Sequence, residues 1–134
     1  MVVAGGESSI SVGNLDVYRD FSDVRDIVRA YAIAATTDFA EASGVEQVFN
    51  LATGRPRAVR EILQHLIALS GRSIEIVVDP DRVRPNEMPF AVGDASRAAS
   101  VLGWRPALPF EATLADVFEE QLRSVRLGGA GRSH

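Results

Sequence analysis

Apolar and polar residues along the chain form short blocks that predict strands alternating with helices. Ile10–Leu15 is the first predicted strand, and the turn signal Gly13-Asn14 interrupts it. A helix is predicted from Asp23 to about Ala40, with the Ser22 hydroxyl as its N-cap. Its apolar face is expected to consist of residues at helical spacing, namely Val24, Ile27, Val28, Tyr31, Ala32 and Ala35.

The next block predicts a covered strand, a turn and a second helix. Gln47–Ala52 is too apolar to keep one face in water, which is typical of a strand in a parallel sheet. Thr53–Pro56 is the predicted turn, and the helix is expected from about Ala58 to Ser70, with Gly71 as its left-handed stop. His65 lies beside the apolar stripe of that helix. It fits a half-buried, hydrogen-bonded side chain, or a metal ligand whose partners the sequence does not place.

Two carboxylates stand close together after the third predicted strand, Ser73–Val78. Asp79-Pro80-Asp81 fits an ordinary turn, and it also fits a general acid/base or metal site. The segment from Arg82 to Gly93 is predicted to be irregular. It can be an ordinary surface loop or a phosphate-binding loop.

The last part of the chain predicts two more helices. Asp94 is expected to cap a short helix that ends at Leu102-Gly103, and Trp104 is expected to anchor the core. The final helix is predicted from about Glu111 to Arg126. The Gly-rich tail Leu127–His134 is expected to be disordered.

Composition narrows the class of protein. A chain of 134 residues with 46% hydrophobic content fits a single α/β domain with a modest core. The absence of cysteine excludes disulfides and thiolate chemistry, and the net charge of −4 argues against a nucleic-acid surface. No apolar run approaches the ~20 residues of a membrane span, and the N-terminus lacks the features of a signal peptide. No membrane contact is expected, and the cytoplasm is the expected location.

All fourteen basic residues are arginines. The lack of lysine excludes a Walker lysine, a Schiff-base lysine and a Tyr-x-x-x-Lys pair. No G-x-G-x-x-G fingerprint follows a predicted strand. We therefore expect no catalytic or cofactor-binding residues in this chain. No metal-binding residues are expected either, because packing is the preferred interpretation of His65 and an ordinary turn is the preferred interpretation of Asp79-Pro80-Asp81.

Arg19 is predicted to lie on a short segment between a turn and a helix start. A guanidinium in such a place can bind an anion through two parallel hydrogen bonds. Pairing with Asp20 or Asp23 is the alternative, since ion pairs of this kind are common on protein surfaces. Spacing alone leaves both interpretations open.

Three motifs, in order, carry a resemblance to a known family. Gly13–Tyr31 resembles the start of the substrate-binding part of extended short-chain dehydrogenases that act on nucleotide sugars. Arg84-Pro85-Asn86-Glu87 with Gly93-Asp94-Ala95-Ser96, and then Leu102-Gly103-Trp104-Arg105-Pro106, match further family motifs. The resemblance covers roughly residues 10 to 126. It is greatest to the GDP-mannose 4,6-dehydratase and GDP-6-deoxy-4-keto-mannose reductase group.

The resemblance implies a C-terminal fragment of an extended Rossmann-fold enzyme. Residues 1–126 would form its substrate-binding lobe, with short strands alternating with about four helices. The intact enzyme would use NADP or NAD, bound by an N-terminal Rossmann half that this chain lacks. Expected partners are that half, a nucleotide sugar of the GDP type, and a second copy in a homo-oligomer.

The same resemblance assigns roles to individual residues. Arg19 and Arg84 are implied to contact the diphosphate of the nucleotide sugar, Glu87 to accept hydrogen bonds from ribose hydroxyls, and Asn14 to add a polar contact. A non-catalytic α/β interaction module derived from the family, or a fragment of a sugar-nucleotide epimerase, are the alternatives.

Overall fold

The computed structural model describes residues 8–39, 47–84 and 87–129. As predicted, short strands accompany four α-helices in the described residues. The strands are β1 (Ser9–Val12), β2 (Tyr18–Asp20), β3 (Pro56–Ala58), β4 (Glu75–Val78) and β5 (Phe90–Ala91). The helices are α1 (Val24–Thr36), α2 (Val59–Ser70), α3 (Ser96–Val101) and α4 (Phe110–Gly129), with a short 3-10 helix at Pro80–Arg82. In the part of the chain described, no helix is long and apolar enough to cross a membrane.

The described residues fall into two compact units, each assembled from separate segments of the chain. The first unit draws on residues 8–17, 58–89 and 111–129, and the second on residues 18–57 and 90–110. Each unit therefore depends on contacts between residues that are distant in sequence. The interpretation of residues 1–126 as one substrate-binding lobe stays a prediction.

A parallel pair of strands belongs to the first unit. β1 and β4 are in register from Ser9 opposite Glu75 to Val12 opposite Val78. The first strand thus ends at Val12 and not at the predicted Leu15. The apolar residues that are buried in this unit are Leu15, Val17, Leu114 and Phe118.

Backbone carbonyls replace a side-chain cap at the start of α2. The N-cap residue Ala58 makes no side-chain capping bond. The Val59 N–H donates to the Val17 carbonyl over 3.0 Å, and the Arg60 N–H donates to the Leu15 carbonyl over 3.2 Å. Both bonds satisfy N–H groups that a first helical turn leaves unpaired. The helix ends as predicted at Gly71, whose φ of 65° is left-handed.

The second unit contains a small sheet and a core around one indole. The sheet order is β3-β2-β5, and β2 and β5 are parallel. β5 lies inside the segment that was predicted to be irregular, so that prediction was wrong at Phe90–Ala91. Trp104 is 0% exposed, which confirms its predicted role as a packing anchor. Its buried neighbours in the core cluster are Ala30, Ala98 and Leu102.

The sequence pattern selected the wrong face of α1. The buried residues of the helix are Asp26 and Ala30, whereas Val24 is 70% exposed and Tyr31 is 65% exposed. The error arose because this helix is apolar on two faces, and periodicity does not say which face meets the core. We call the exposed stripe the outer face of α1; it consists of Val24, Val28, Tyr31 and Ala35.

Both ends of α1 differ from the prediction by a few residues. The N-cap is Asp23 and not Ser22, because the Asp23 carboxylate accepts a hydrogen bond from the Arg25 N–H over 2.8 Å. The helix ends at Thr36 and not near Ala40. The predicted stop at residues 42–44 lies outside the described residues.

The apolar segment 47–52 is not a strand in the structure. Its residues have no regular secondary structure, and Val48 is 64% exposed. A β-strand exists only where a neighbouring backbone pairs with it, and the described residues do not pair with this segment. Phe49 instead stacks on Phe39, with 6.1 Å between ring centroids.

The last two helices lie close to their predicted positions. The N-cap of α3 is Ala95 and not the predicted Asp94, although the Asp94 carboxylate accepts from the Ser96 N–H over 2.8 Å. α4 begins at Phe110 and continues to Gly129, so residues 127–129 are helical and the tail predicted to be disordered does not begin at Leu127. Residues 130–134 lie outside the described residues.

Candidate functional site

Arg19 lies in the middle of β2, in the second unit. Its backbone stands opposite Ala91 of β5 in the parallel register. Its side chain is half-buried, and the Nη1 group donates to the Tyr18 carbonyl over 2.8 Å. The strand therefore holds the backbone of Arg19 in place while the guanidinium remains at the surface of the unit.

The carboxylate of Asp20, the next residue, ties three chain segments together. Its Oδ1 accepts from the N–H of Thr53 over 3.0 Å and from the Thr53 hydroxyl. Its Oδ2 accepts from the N–H of Gly54 over 2.8 Å and from the N–H of Gly93 over 3.3 Å. We call Asp20, Thr53, Gly54 and Gly93 the Asp20 cluster.

The Asp20 cluster favours the ionised form of the carboxyl group. Burial acts to raise the pKa of Asp20, but the hydrogen bonds from Thr53, Gly54 and Gly93 outweigh it and hold this pKa below its ordinary value of 3.8. Asp20 is therefore charged at neutral pH. A charged acceptor forms stronger hydrogen bonds than a neutral one.

Two glycines allow the backbones of this cluster to approach each other. A Cβ at Gly93 would lie 2.4 Å from the Cβ of Ala52, which is far inside van der Waals contact. Gly54 has a φ of 70°, a backbone conformation that residues with a Cβ rarely adopt. Both positions therefore require glycine for the Asp20 cluster to close.

A buried carboxylate, that of Asp26, connects α1 with the segment that follows Trp104. Asp26 accepts from Arg29 over 2.7 Å and from the N–H groups of Ala107 and Leu108 over 3.0 Å each. The Trp104 indole donates to the Asp26 carbonyl over 2.9 Å. Burial acts to raise the pKa of Asp26, but these bonds to its carboxylate hold it below 3.8.

An open cleft of about 410 Å³ lies within the second unit, next to the Asp20 cluster. Its walls combine small and apolar residues with a few polar groups. Thr53 and Gly54 line one part of it, and Asp94, Ser96 and Arg105 line another. The family motifs Gly93–Ser96 and Leu102–Pro106 both contribute residues to this cleft.

The other predicted site residues belong to the first unit. Asn14 follows β1, and its Oδ1 accepts from the Asp16 N–H over 2.9 Å. Arg84 is exposed and Glu87 is half-buried, beyond the 3-10 helix. Residues 85–86 of the predicted Arg84–Glu87 motif lie outside the described residues.

A close backbone approach brings Asn14 near the segment that leads to Arg84. A Cβ at Gly13 would lie 2.7 Å from the carbonyl oxygen of Arg82. Arg82 also donates to the Ser11 carbonyl over 3.3 Å. The φ of Gly13 is not positive, so the backbone conformation does not require glycine there. Glycine is required at this predicted turn because a Cβ would clash with the Arg82 carbonyl. Arg19 lies in the second unit, so its proposed shared contact with Arg84 stays a prediction.

The Asp-Pro-Asp segment forms a local turn. Asp79 caps the 3-10 helix by accepting from the Asp81 N–H over 3.0 Å, and it forms an ion pair with Arg82 at 3.3 Å. These contacts occupy the Asp79 carboxylate within the turn. Among the described residues, no group of three His, Asp or Glu side chains is placed to hold a metal ion.

Comparison with known proteins identifies the family. The family model described as GDP-mannose 4,6-dehydratase matches residues 1–117. The chain belongs to the GDP-mannose 4,6-dehydratase family. This confirms the resemblance of the three motifs, all of which lie inside the matched region.

Curated relatives in this family are similar to most of this chain. GDP-6-deoxy-D-mannose reductase from Pseudomonas aeruginosa is 31% identical over 117 residues, covering 87% of this chain and 37% of the relative. GDP-mannose 4,6-dehydratase from Cricetulus griseus is 26% identical over 144 aligned positions, covering 93% of this chain and 37% of the relative. The chain thus spans little more than a third of the length of these relatives.

Solved structures agree with the family assignment. The RMD protein of Pseudomonas aeruginosa complexed with NADPH matches with a TM-score of 0.71 and 28% identity, covering 84% of this chain and 34% of the other. UDP-glucose 4-epimerase of Thermotoga maritima with UDP-glucose matches with a TM-score of 0.75 and 28% identity, covering 92% and 37%. The fold is thus that of a part of a Rossmann-fold epimerase/dehydratase.

The described residues do not include the glycine-rich turn that commonly holds a nicotinamide dinucleotide. A dinucleotide pyrophosphate is held where a strand runs through a glycine-rich turn into a helix. In the described residues, no connection from a strand to a helix contains more than one glycine. No step of hydride or proton transfer is therefore assigned to this chain.

Asp20 and Asp26 are the residues that sequence reasoning missed. The spacing suggested Asp20 only as a partner for Arg19. It placed Asp26 off the apolar face of the first helix, whereas Asp26 is 2% exposed. The donors to Asp20 lie up to 73 positions away along the chain, and the donors to Asp26 lie up to 82 positions away. No local signal in the sequence indicates such bonds.

Proposed function

We propose that this chain is the nucleotide-sugar-binding portion of an NADP-dependent 4,6-dehydratase or 4-keto-6-deoxy-sugar reductase. The observation that carries the proposal is the family match over residues 1–117, together with relatives named for GDP-mannose and GDP-6-deoxy-mannose chemistry. In this proposal the chain binds and orients the substrate. Such positioning supplies a large part of an enzyme's rate.

Two arginines are the proposed diphosphate ligands. Arg19 is supported by β2 and by the adjacent Asp20 cluster, so its backbone is preorganised. Arg84 follows a turn that packs against Gly13, and its side chain is exposed. Two guanidinium groups match two phosphates because each can form paired, charge-assisted hydrogen bonds.

The remaining polar contacts are proposed for the nucleoside and sugar. Glu87 would accept hydrogen bonds from ribose hydroxyls, since a carboxylate can engage two of them at once. Asn14 would add a contact near the segment of Arg84. Its Oδ1 already accepts from the Asp16 N–H, so its amide group is oriented before any ligand binds.

The proposed partner of the outer face of α1 is the cofactor-binding half of the enzyme. The relatives are almost three times as long as the part that this chain matches. A helix that is apolar on two opposite faces is normally covered on both. The exposed Val48 belongs to a segment that would become a strand if a neighbouring backbone paired with it.

The substrate assignment is tested by calorimetric titration of GDP-mannose into the chain assembled with a cofactor-binding half. Arg19→Lys and Arg84→Lys should each weaken binding by about 1.5–3 kcal/mol, because lysine cannot form the paired bonds. Glu87→Gln should weaken it less, since an amide oxygen still accepts from a hydroxyl. Arg123→Lys is the matched control, because Arg123 pairs with Glu119 on α4. Unchanged affinity in both Arg19→Lys and Arg84→Lys would refute the assignment.

An epimerase fragment is the second candidate, favoured by the likeness to UDP-glucose 4-epimerase. The same assembled protein should then bind UDP-glucose more tightly than GDP-mannose. The isolated chain should neither turn over GDP-mannose nor bind NADP(H) tightly in either case. Cofactor-dependent turnover by the pure chain would contradict both candidates.

A further inference from the structure

In the Asp20 cluster, several hydrogen bonds converge on one charged side chain, which packing alone does not require. All four of its hydrogen bonds converge on the two oxygens of a single carboxylate, and they come from residues 33, 34 and 73 positions away. Apolar contacts could have held these segments together without a charge. A charged acceptor fixes them in one geometry, because its hydrogen bonds are directional and charge-assisted.

The segment that this carboxylate fixes is the one that carries Arg19. Asp20 and Arg19 share a peptide bond, and both belong to β2. β5 pairs opposite Tyr18 and Arg19, and its strand ends two residues before Gly93, which donates to Asp20. The bond from Gly93 therefore extends the β2–β5 contact beyond the last paired residues and limits sliding of one strand along the other.

We propose that Asp20 is a positioning residue, whose carboxylate sets the placement of the Arg19 guanidinium for a diphosphate ligand. This inference rests on the proposed function of Arg19. With Asp20 ionised, Thr53, Gly54 and Gly93 hold β2 in register. Without the charge, at least one donor loses its acceptor, and β2 can shift by the fraction of an ångström that paired phosphate contacts do not tolerate.

The test is a double-mutant cycle read out by GDP-mannose affinity of the chain assembled with its cofactor-binding half. Asp20→Asn keeps the size of the side chain and removes the charge. It should weaken binding by about 3- to 100-fold, and by no more than Arg19→Lys does, because it acts through Arg19. In the Arg19→Lys background, Asp20→Asn should change affinity by less than about twofold.

Arg84→Lys supplies the matched comparison. In that background, Asp20→Asn should keep its full effect, since Arg84 belongs to the other unit. A general loss of structure would instead weaken binding equally in the wild-type, Arg19→Lys and Arg84→Lys backgrounds. That equal loss would overturn the positioning role.

A second variant keeps the test decisive if Asp20→Asn folds poorly. Thr53→Val removes one hydroxyl donor to Asp20 and should reproduce part of the loss of affinity, whereas Thr53→Ser, which keeps the hydroxyl, should restore it. Loss with Arg19→Lys but none with Asp20→Asn and Thr53→Val refutes the positioning role alone. No loss with Arg19→Lys refutes the proposed role of Arg19, and the positioning role with it.

Discussion

Different kinds of contact stabilise the interior of each of the two units of this chain. The second unit is organised by charges inside it: Asp20 and Asp26 each accept several hydrogen bonds from distant segments, around the buried Trp104. The first unit relies on the β1–β4 backbone ladder and on the close approach of Gly13 to Arg82, while its ion pair between Asp16 and Arg60 is exposed. Side-chain chemistry thus determines loop positions in the second unit, and backbone geometry determines them in the first.

The largest expected effect is on the indole of the second unit. Trp104→Ala should lower the free energy of unfolding by about 3–5 kcal/mol, because it leaves a cavity and removes the N–H donor to the Asp26 carbonyl. Urea unfolding of the chain measures this loss. Tyr31→Ala is the control, since that ring is on the outer face of α1 and is 65% exposed. An equal loss from both variants would contradict the buried position of Trp104.

The next effect in size comes from the buried carboxylate of Asp26. Asp26→Asn should lower the free energy of unfolding by about 2–3 kcal/mol, because asparagine has one acceptor oxygen and no charge to offer the donors of Arg29, Ala107 and Leu108. Equilibrium unfolding at neutral pH gives this value. If Asp26→Asn lowered the free energy of unfolding by less than the loss of an exposed ion pair does, Asp26 would not organise the unit.

The pH dependence of this effect has a definite sign. The pKa of Asp26 is lowered in the folded state, so its stabilisation is present above the unfolded pKa near 4 and is lost as the pH falls through that value towards the folded pKa. The wild-type chain should therefore lose more stability than Asp26→Asn between about pH 5 and about pH 3. Parallel pH profiles for the two chains would contradict this.

Two glycines sharpen the contrast between side-chain and backbone control. Gly93→Ala and Gly13→Ala should each cost about 1–3 kcal/mol through overpacking. At Gly93 the clash is with the Cβ of Ala52, so adding Ala52→Gly should recover much of the loss. At Gly13 the clash is with the backbone carbonyl of Arg82, and removing a neighbouring side chain cannot relieve it. Thermal unfolding of the three variants measures both results; no recovery with Ala52→Gly would show that the clash lies elsewhere.

The smallest expected effect is on the exposed ion pair of the first unit. Arg60 and Asp16 are 2.8 Å apart, but 77% of the Asp16 side chain is exposed. Asp16→Asn should therefore change stability by only about 0–1 kcal/mol, and less at high salt. A cost as large as that of Asp26→Asn would remove the distinction between the two units.

The outer face of α1 shows where sequence patterns stop being informative. The existence of α1 was predicted correctly. Because the helix has apolar residues on two faces, its periodicity is the same whichever of these faces is buried. The unpaired segment 47–52 raises the same problem, since its apolar character predicts a strand only if a partner strand is present. We expect the isolated chain to bind hydrophobic dyes and to self-associate through such surfaces.

Local chemistry determined much of this protein from the sequence alone. Gly71 ends α2 because only a residue without a Cβ adopts its φ readily, and Asp79 forms a turn with Pro80 because its carboxylate reaches the next free N–H. The burial of Trp104 was also predicted, since a single large apolar residue needs burial. The family motifs were recognised directly from the sequence. These features depend on residues within a few positions of one another.

Only the tertiary structure decided the buried face of α1, the need for glycine at Gly13 and Gly93, and the partners of Asp20 and Asp26. Each depends on atoms that lie tens of positions away along the chain. The energy of such a contact is the same whatever the sequence separation, but no local pattern records which distant donor will fill a given acceptor. The arrangement around Arg19 is therefore a consequence of folding and not of the motif that contains it.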